Sequence, residues 1–253
     1  MQKLKNIMSV ANYAIIGVAV VFSTWIASSS WKTVKMRPRE RTIKVTGSAK
    51  KRIVSDLIGW EATIVSKNMD RTAAYRELAN GIDKAQKWLK DRKVKPEEIS
   101  VSSISVEEKF AVEKQTTGDV QTEKNVFKGY IITQSISVVS KEVSQIEKIS
   151  REITSLLEQG ITIQSSSPRY YYTKIGELKI AMLAEASADA RIRAENIVAK
   201  TDSTALGKLK KAIMGVININ PANSTSTSWG GNNDTSSLEK DIITIVHVEY
   251  FLK

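Results

Sequence analysis

One uncharged hydrophobic segment, residues 12–31, constrains this chain more than any other feature. A helix rises about 1.5 Å per residue, so a segment of this length just crosses a hydrocarbon core of about 30 Å. Aromatic residues lie towards its two ends, as they do at membrane interfaces: Tyr13, Trp25 and Trp31. The pattern predicts one transmembrane anchor, preceded by a tail at residues 1–11 and followed by a basic juxtamembrane linker at residues 32–41.

Other interpretations of this segment stay open. Lys3 and Lys5 precede it and the small residues Ala27-Ser28-Ser29 close it, which is also the pattern of a cleaved signal peptide. A buried globular helix is the third possibility. The five Lys or Arg residues of the linker favour a cytoplasmic domain, whereas retention as a signal anchor would export everything after Trp31.

The charge of the chain is concentrated beside this segment. The net charge is +11, and residues 1–41 contain seven Lys or Arg against one Glu, which leaves only +5 for the rest. That distribution favours contact with lipid headgroups and argues against a nucleic-acid partner. The chain contains no cysteine, so disulfides, thiolate metal sites and thiol nucleophiles are excluded.

Residues 42–253 are predicted to form one α+β domain. Hydrophobic periodicity predicts two strand-helix-strand-strand units, at residues 53–139 and 161–252, joined by a helix at residues 143–158. We expect one antiparallel or mixed sheet system with long helices packed on it, preceded by the transmembrane helix. The predicted boundaries are strands at 42–47, 53–66, 99–110, 127–139, 161–172, 209–219 and 242–252, helices after Asp70 and at 173–201, and polar loops at 116–119 and 221–237.

The sequence offers no catalytic constellation. His247 is the only histidine and lies in an alternating strand, so it is expected to be structural or exposed. A pair of carboxylates could act as an acid and a base, but the four candidates are spread over predicted strands and are expected to lie on solvent-exposed faces. They are Asp56, Glu61, Glu107 and Glu108. The glycines at 215, 230 and 231 lack the spacing of a phosphate loop. We therefore expect no enzyme, no metal and no cofactor.

Three features could carry binding. Tyr170, Tyr171 and Tyr172 form an aromatic run, of which one or two residues should be core because neighbours in a strand point to opposite faces. Basic patches for an anionic lipid or polymer could form from Lys208, Lys210 and Lys211 beside Lys50, Lys51 and Arg52, although a solvated face is the simpler reading. The small residues at 181–199 could pack between subunits or on the domain's own sheet.

Several short stretches, in this order and spacing, resemble the SIMPL-domain family of bacterial exported proteins from Thr42 onward. They are Ile43-x-Val45-x-Gly47, Gly129-Tyr130, Glu185-Ala186, Ala190-Arg191-x-Arg193-Ala194, Leu206-Gly207-Lys208-Leu209 and Val246-x-Val248-x-Tyr250-x-Leu252. The resemblance implies an α+β domain in the bacterial envelope, facing the periplasm, without established catalytic residues. It also implies ring-like oligomers and a link to oxidative-stress defence.

Together these observations predict a non-enzymatic envelope protein anchored once in the inner membrane. We expect it to contact lipid through residues 12–31 and to act through self-assembly or contacts with other envelope proteins. The alternative is a binding module for a small or polymeric envelope ligand.

Overall fold

The computed structural model describes residues 2–35, 40–117, 120–201 and 205–253. At residues 2–15, 33–34, 115–117 and 120–122 it describes the backbone only. In chain order the elements are α1 (Gln2–Lys35), β1 (Thr42–Val54), β2 (Leu57–Asn68), α2 (Arg71–Asp91), β3 (Ile99–Val101), β4 (Ser105–Thr117), β5 (Val120–Ser140), α3 (Val143–Glu152), β6 (Ile163–Ser165), β7 (Arg169–Tyr171), α4 (Ile175–Lys200), β8 (Leu206–Pro221) and β9 (Glu239–Leu252).

α1 contains the predicted anchor. From Ile16 to Trp31 its apolar side chains are exposed, and the apolar residues lie around the whole helix rather than on one face. Among the described residues, no helix combines the length and the apolar character needed to cross a bilayer. The predicted tail belongs to α1 from Gln2 onward. The side chains of residues 2–15, Met1 and linker residues 36–39 lie outside the description.

A three-stranded antiparallel sheet forms the first layer of the domain, in the order β1-β9-β8, and α4 packs on one face of it. Alternation determines which side chains turn inward, since successive residues of a strand point to opposite faces. Val246 and Val248 of β9 are buried under α4, whereas His247 between them is exposed, as the sequence predicted.

A six-stranded antiparallel sheet forms a second layer with its own core. β2 is central, with β5 on one side and both β6 and β7 on the other, and β3 and β4 pair with the far edge of β5. α2 and α3 cover it. Asp70 begins α2 as predicted, because its carboxylate accepts a hydrogen bond from the backbone N–H of Ala73 at 2.7 Å. Tyr75, predicted on the buried face of α2, is exposed.

The structure confirms the α+β class and the antiparallel pairing, and it corrects the predicted units. Residues 161–172, expected to open the second unit, form β6 and β7, and both pair with β2. β9, the last strand of that predicted unit, pairs with β1 and β8. The domain therefore has two sheets, each with its own hydrophobic core, rather than one sheet system.

Several predicted boundaries were wrong. β1 runs on through Ile53, and the chain turns at Ser55 and Asp56 before β2 begins. The strand predicted at 99–110 is broken into β3 and β4, and β4 continues into the predicted loop at 116–119, of which Gly118 and Asp119 lie outside the description. The helix predicted at 143–158 becomes a 3-10 helix from Ile153 and ends at Gly160, whose φ of 79° suits a glycine cap.

Contrary to expectation, the polar segment at 221–237 packs against β8, through hydrogen bonds, although none of its own residues is buried. Asn218 and Asn220 of β8 are buried, and the Asn218 Oδ1 accepts hydrogen bonds from the backbone N–H groups of Ser228 and Asn232. Asn220 Nδ2 donates to the carbonyl of Ser226 at 2.6 Å. The segment has few apolar contacts with the rest of the domain. The hydrogen bonds of the two buried amide side chains hold it in place instead, because they pair backbone groups of the segment.

Candidate functional site

The tyrosine run lies where the two sheets meet. Tyr170 is buried in the core of the six-stranded sheet, where burial raises the pKa of its phenol, and Tyr172 packs against the core of the other sheet. Tyr171, between them, is exposed. The prediction that one or two of these residues are core is confirmed, and the exposed Tyr171 is the one available to a partner.

A cavity of about 160 Å³ opens beside this run. Its wall includes Lys240, which is only 2% exposed although lysines are seldom buried. The Lys240 Nζ donates to the carbonyl oxygen of Tyr170 at 2.7 Å and to that of Asp234. Burial lowers the pKa of Lys240, while the nearby Asp234 carboxylate acts in the opposite direction. The ammonium group therefore links β9 to β7 and to the packed loop.

Asp241, the next residue, is fully buried and pairs with two of the three side chains of the predicted patch Lys50, Lys51 and Arg52. Its carboxylate accepts from Arg52 Nε at 2.9 Å, lies 3.0 Å from Lys50 Nζ, and accepts from the backbone N–H of Asn223 at 2.8 Å. Hydrogen bonds from Arg52 and then Lys50 hold the pKa of Asp241 well below its usual range, although burial opposes them. Lys50 and Arg52 are thus structural partners, while Lys51 is exposed.

The predicted patch of Lys208, Lys210 and Lys211 lies at the other end of the three-stranded sheet. Lys211 pairs with Glu249 in the register of β9, eight positions from Asp241, which corresponds to about 26 Å along a strand. The Lys210 Nζ lies 2.8 Å from the Glu40 carboxylate and 3.4 Å from that of Glu249. Lys208 and Lys211 are exposed, and within the described chain neither has a carboxylate within 4.0 Å. The fold does not bring the two patches together.

The candidate catalytic groups are also kept apart. His247 is exposed on the outer sheet face, 2.9 Å from the Thr46 hydroxyl. The Asp56 carboxylate accepts from the backbone and the hydroxyl of Thr173, Glu61 lies on β2, and Glu107 and Glu108 lie on β4. Among the described residues, no three potential ligands cluster around a possible metal position.

The small residues of α4 pack on the domain's own sheet. Ala186, Ala190 and Ala194 are fully buried against β1. At Gly47 the helix backbone comes so close that an added Cβ would lie 2.1 Å from the carbonyl oxygen of Ala186. The amide of Ser48 donates to the Asp189 carboxylate at 2.8 Å. The alternative of packing between subunits is not needed to explain these alanines.

Sequence reasoning missed a two-stranded arm. Residues 120–129 of β5 pair only with β4, beyond the point where β2 ends opposite Tyr130. Val106, Phe110 and Val112 of β4 are each more than half exposed. Phe127 bridges Phe110 and Tyr130 through edge-to-face contacts, with ring centroids 5.7 and 5.1 Å apart. The sequence contained a signal for the arm, the alternation of Phe110 and Val112, but the predicted strand ended at Phe110.

The glycines and alanines that carry the family resemblance hold this fold together, and comparison with family models gives the same family. A model described as SIMPL, protein of unknown function (DUF541), matches residues 43–239. The chain belongs to the SIMPL family. The SIMPL match runs from β1 to the first residue of β9, and so includes the six-stranded sheet, the arm, α2 to α4 and β8, but not the rest of β9. No curated protein matches the chain.

Proposed function

We propose that this SIMPL protein is a non-enzymatic, membrane-tethered envelope protein that works by self-assembly. The arm carries the proposal, because it presents apolar side chains that no element of the described structure covers. A two-stranded ribbon is marginally stable alone in water, and a second layer on its apolar face would stabilise it. A second copy of the chain supplies such a layer.

The charges of the arm suit association between copies. Across residues 109–129 there are three acidic and four basic side chains, so the arm carries little net charge and two arms do not strongly repel each other. The Lys128 Nζ lies 2.5 Å from the Glu113 carboxylate, and that of Lys114 lies 3.5 Å from that of Glu123. These ion pairs leave Phe110 and Val112 as the exposed anchors.

The tether rests on α1 and on the sequence around it. No charged residue occurs between Lys5 and Lys32, and every apolar side chain described in this helix is exposed. A helix that is apolar on all sides is buried either in protein or in lipid. Because the described side chains of α1 are exposed, we infer that lipid covers them. The family resemblance supports a place in the bacterial envelope, with the domain on the periplasmic side, among envelope proteins and in envelope or oxidative stress defence. The single span in the inner membrane rests on residues 12–31 alone.

Photo-crosslinking from the arm tests this proposal. Because the chain has no cysteine, Val112→Cys provides a unique thiol for a benzophenone label. Full-length protein in detergent should then form covalent dimers and larger species on illumination. Ile180→Cys is the matched control, because Ile180 is even more exposed but lies on α4. Equal crosslinking from both positions, or none from position 112, would contradict assembly through the arm.

The cavity at the sheet junction favours a second candidate, a binding module for a small or polymeric envelope ligand. It combines the aromatic Tyr171 with the buried ammonium group of Lys240. Such a module needs no second copy of the chain, so a protein that stays monomeric at high concentration favours this candidate.

A further inference from the structure

One end of the three-stranded sheet follows α1 closely in the chain, because α1 ends at Lys35 and β1 begins at Thr42. The amide of Leu252 donates to the carbonyl of Arg41 and that of Lys253 to the carbonyl of Ala205, which brings three parts of the chain to one edge. Glu40 is held there by its ion pair with Lys210. We name this region the proximal end, defined by residues 40–44, 205–211 and 249–253.

The proximal end stays close to the end of α1. Lys35 is the last residue of α1, and the chain from Lys35 to Glu40 spans at most about 18 Å even when fully extended. If α1 enters a membrane, as the proposed function requires, the proximal end is the part of the sheet held nearest the headgroups. Lys32 and Lys35, both exposed on the last turns of α1, add positive charge on the same side.

The charge of the proximal end is unbalanced. Six basic side chains face only two carboxylate side chains, Glu40 and Glu249, and Lys210 lies within 4.0 Å of both carboxylates. The six are Arg41, Lys44, Lys208, Lys210, Lys211 and Lys253. The other five basic side chains are exposed and make no salt bridge within the described chain. At the opposite end of the sheet the charges balance, with four basic side chains against four carboxylates: Lys50, Lys51, Arg52 and Lys240 against Asp56, Asp234, Glu239 and Asp241.

The geometry points to the proximal end as a docking surface for anionic phospholipid headgroups of the membrane that α1 enters. This inference rests on the proposed tether. Clustered Lys and Arg beside a membrane segment are attracted to anionic lipid, and the attraction falls off within a Debye length, about 10 Å at 0.1 M salt. Docking holds the three-stranded sheet against the bilayer surface, so that the linker is not its sole attachment to the membrane.

Lysine acetylation of the full-length protein in vesicles tests this. In phosphatidylcholine vesicles with added phosphatidylglycerol, Lys208 and Lys211 should react at least about threefold more slowly than in phosphatidylcholine alone, and about 1 M salt should abolish the difference. Lys51 and Lys67, exposed elsewhere on the domain, should not change. Equal rates at Lys208 and Lys211 in both vesicle types overturn the docking surface.

A pair of matched variants separates local docking from overall charge. Lys208→Gln/Lys211→Gln should abolish the lipid-dependent protection of Lys44, whereas Lys51→Gln/Lys67→Gln removes the same charge and should retain it. Protection of Lys44 that is equal in both variants counts against the surface. Circular dichroism of both variants checks that each is folded.

Flotation of the same vesicles tells this inference apart from the tether. A chain that floats with phosphatidylcholine vesicles after a carbonate wash but shows no lysine protection keeps the tether and loses the docking surface. A chain that floats only with phosphatidylglycerol, and is released by salt, loses the tether and keeps the surface. Flotation with neither vesicle overturns both.

Discussion

Gly47 sets the distance between α4 and β1. An added Cβ would meet the backbone of Ala186 and Ala190 at 2.1 and 2.5 Å, and neither can move without shifting the helix. We expect Gly47→Ala to lower the free energy of unfolding by about 1 to 3 kcal/mol, the cost of overpacking. Urea unfolding followed by circular dichroism measures it.

Gly176 in α4 is the matched control for this change. A Cβ added there meets nothing within 4 Å, so Gly176→Ala should be neutral or stabilise by up to about 1 kcal/mol. A Gly47→Ala variant as stable as Gly176→Ala would mean that the helix does not rest on the sheet at this point.

Asp241 gives the protein a defined sensitivity to acid. Its pKa in the fold lies below that of an unfolded aspartate, about 3.9, so below that pH only the unfolded chain binds the proton and stability falls. The stabilisation is complete above about pH 4. Asp241→Asn should lose about 1 to 3 kcal/mol at pH 7, because buried hydrogen bonds to a charged group are lost.

The pH dependence of Asp241→Asn separates this mechanism from a general loss of packing. Urea unfolding between about pH 2 and pH 7 should show the two proteins converging as the pH falls, because protonation removes from the wild type what the variant already lacks. Parallel profiles would show that the Asp241 charge does not stabilise the fold.

At the scale of elements, local signals in the sequence were reliable and distant pairing was not. The cap at Asp70 and the glycine at 160 depend on a few neighbouring residues, and both were predicted correctly. The pairing of β1 with β9 joins positions some two hundred residues apart, which no local pattern encodes. The arm was missed for the same reason, since the point where β2 stops pairing with β5 cannot be predicted from a local pattern.

The packed loop shows a second reason why sequence reasoning failed. Composition alone predicted that residues 221–237 would not pack, since they carry few apolar side chains. The deciding residues, Asn218 and Asn220, lie in the preceding strand and look like ordinary polar positions there. Their effect comes from burial under the loop, which is known only once β8 and β9 are paired.

For the whole molecule, the predicted candidate residues separate into distinct places. Tyr170, Tyr171 and Tyr172 join the two sheets, Lys50 and Arg52 serve Asp241, and Lys208 and Lys211 remain exposed at the proximal end. The sequence identified the residue types correctly but could not separate the two basic groups, because their distance depends on strand register. The arm, which carries the proposed assembly, was not among them.

The mass of the full-length protein in detergent, measured by light scattering over a range of concentrations, tests the central claim most directly. We predict particles that contain two or more copies, and we predict that Phe110→Ser/Val112→Ser reduces them to one while the folded signal in circular dichroism is kept. A wild-type protein that stays at the mass of a single chain at the highest concentration would contradict the account.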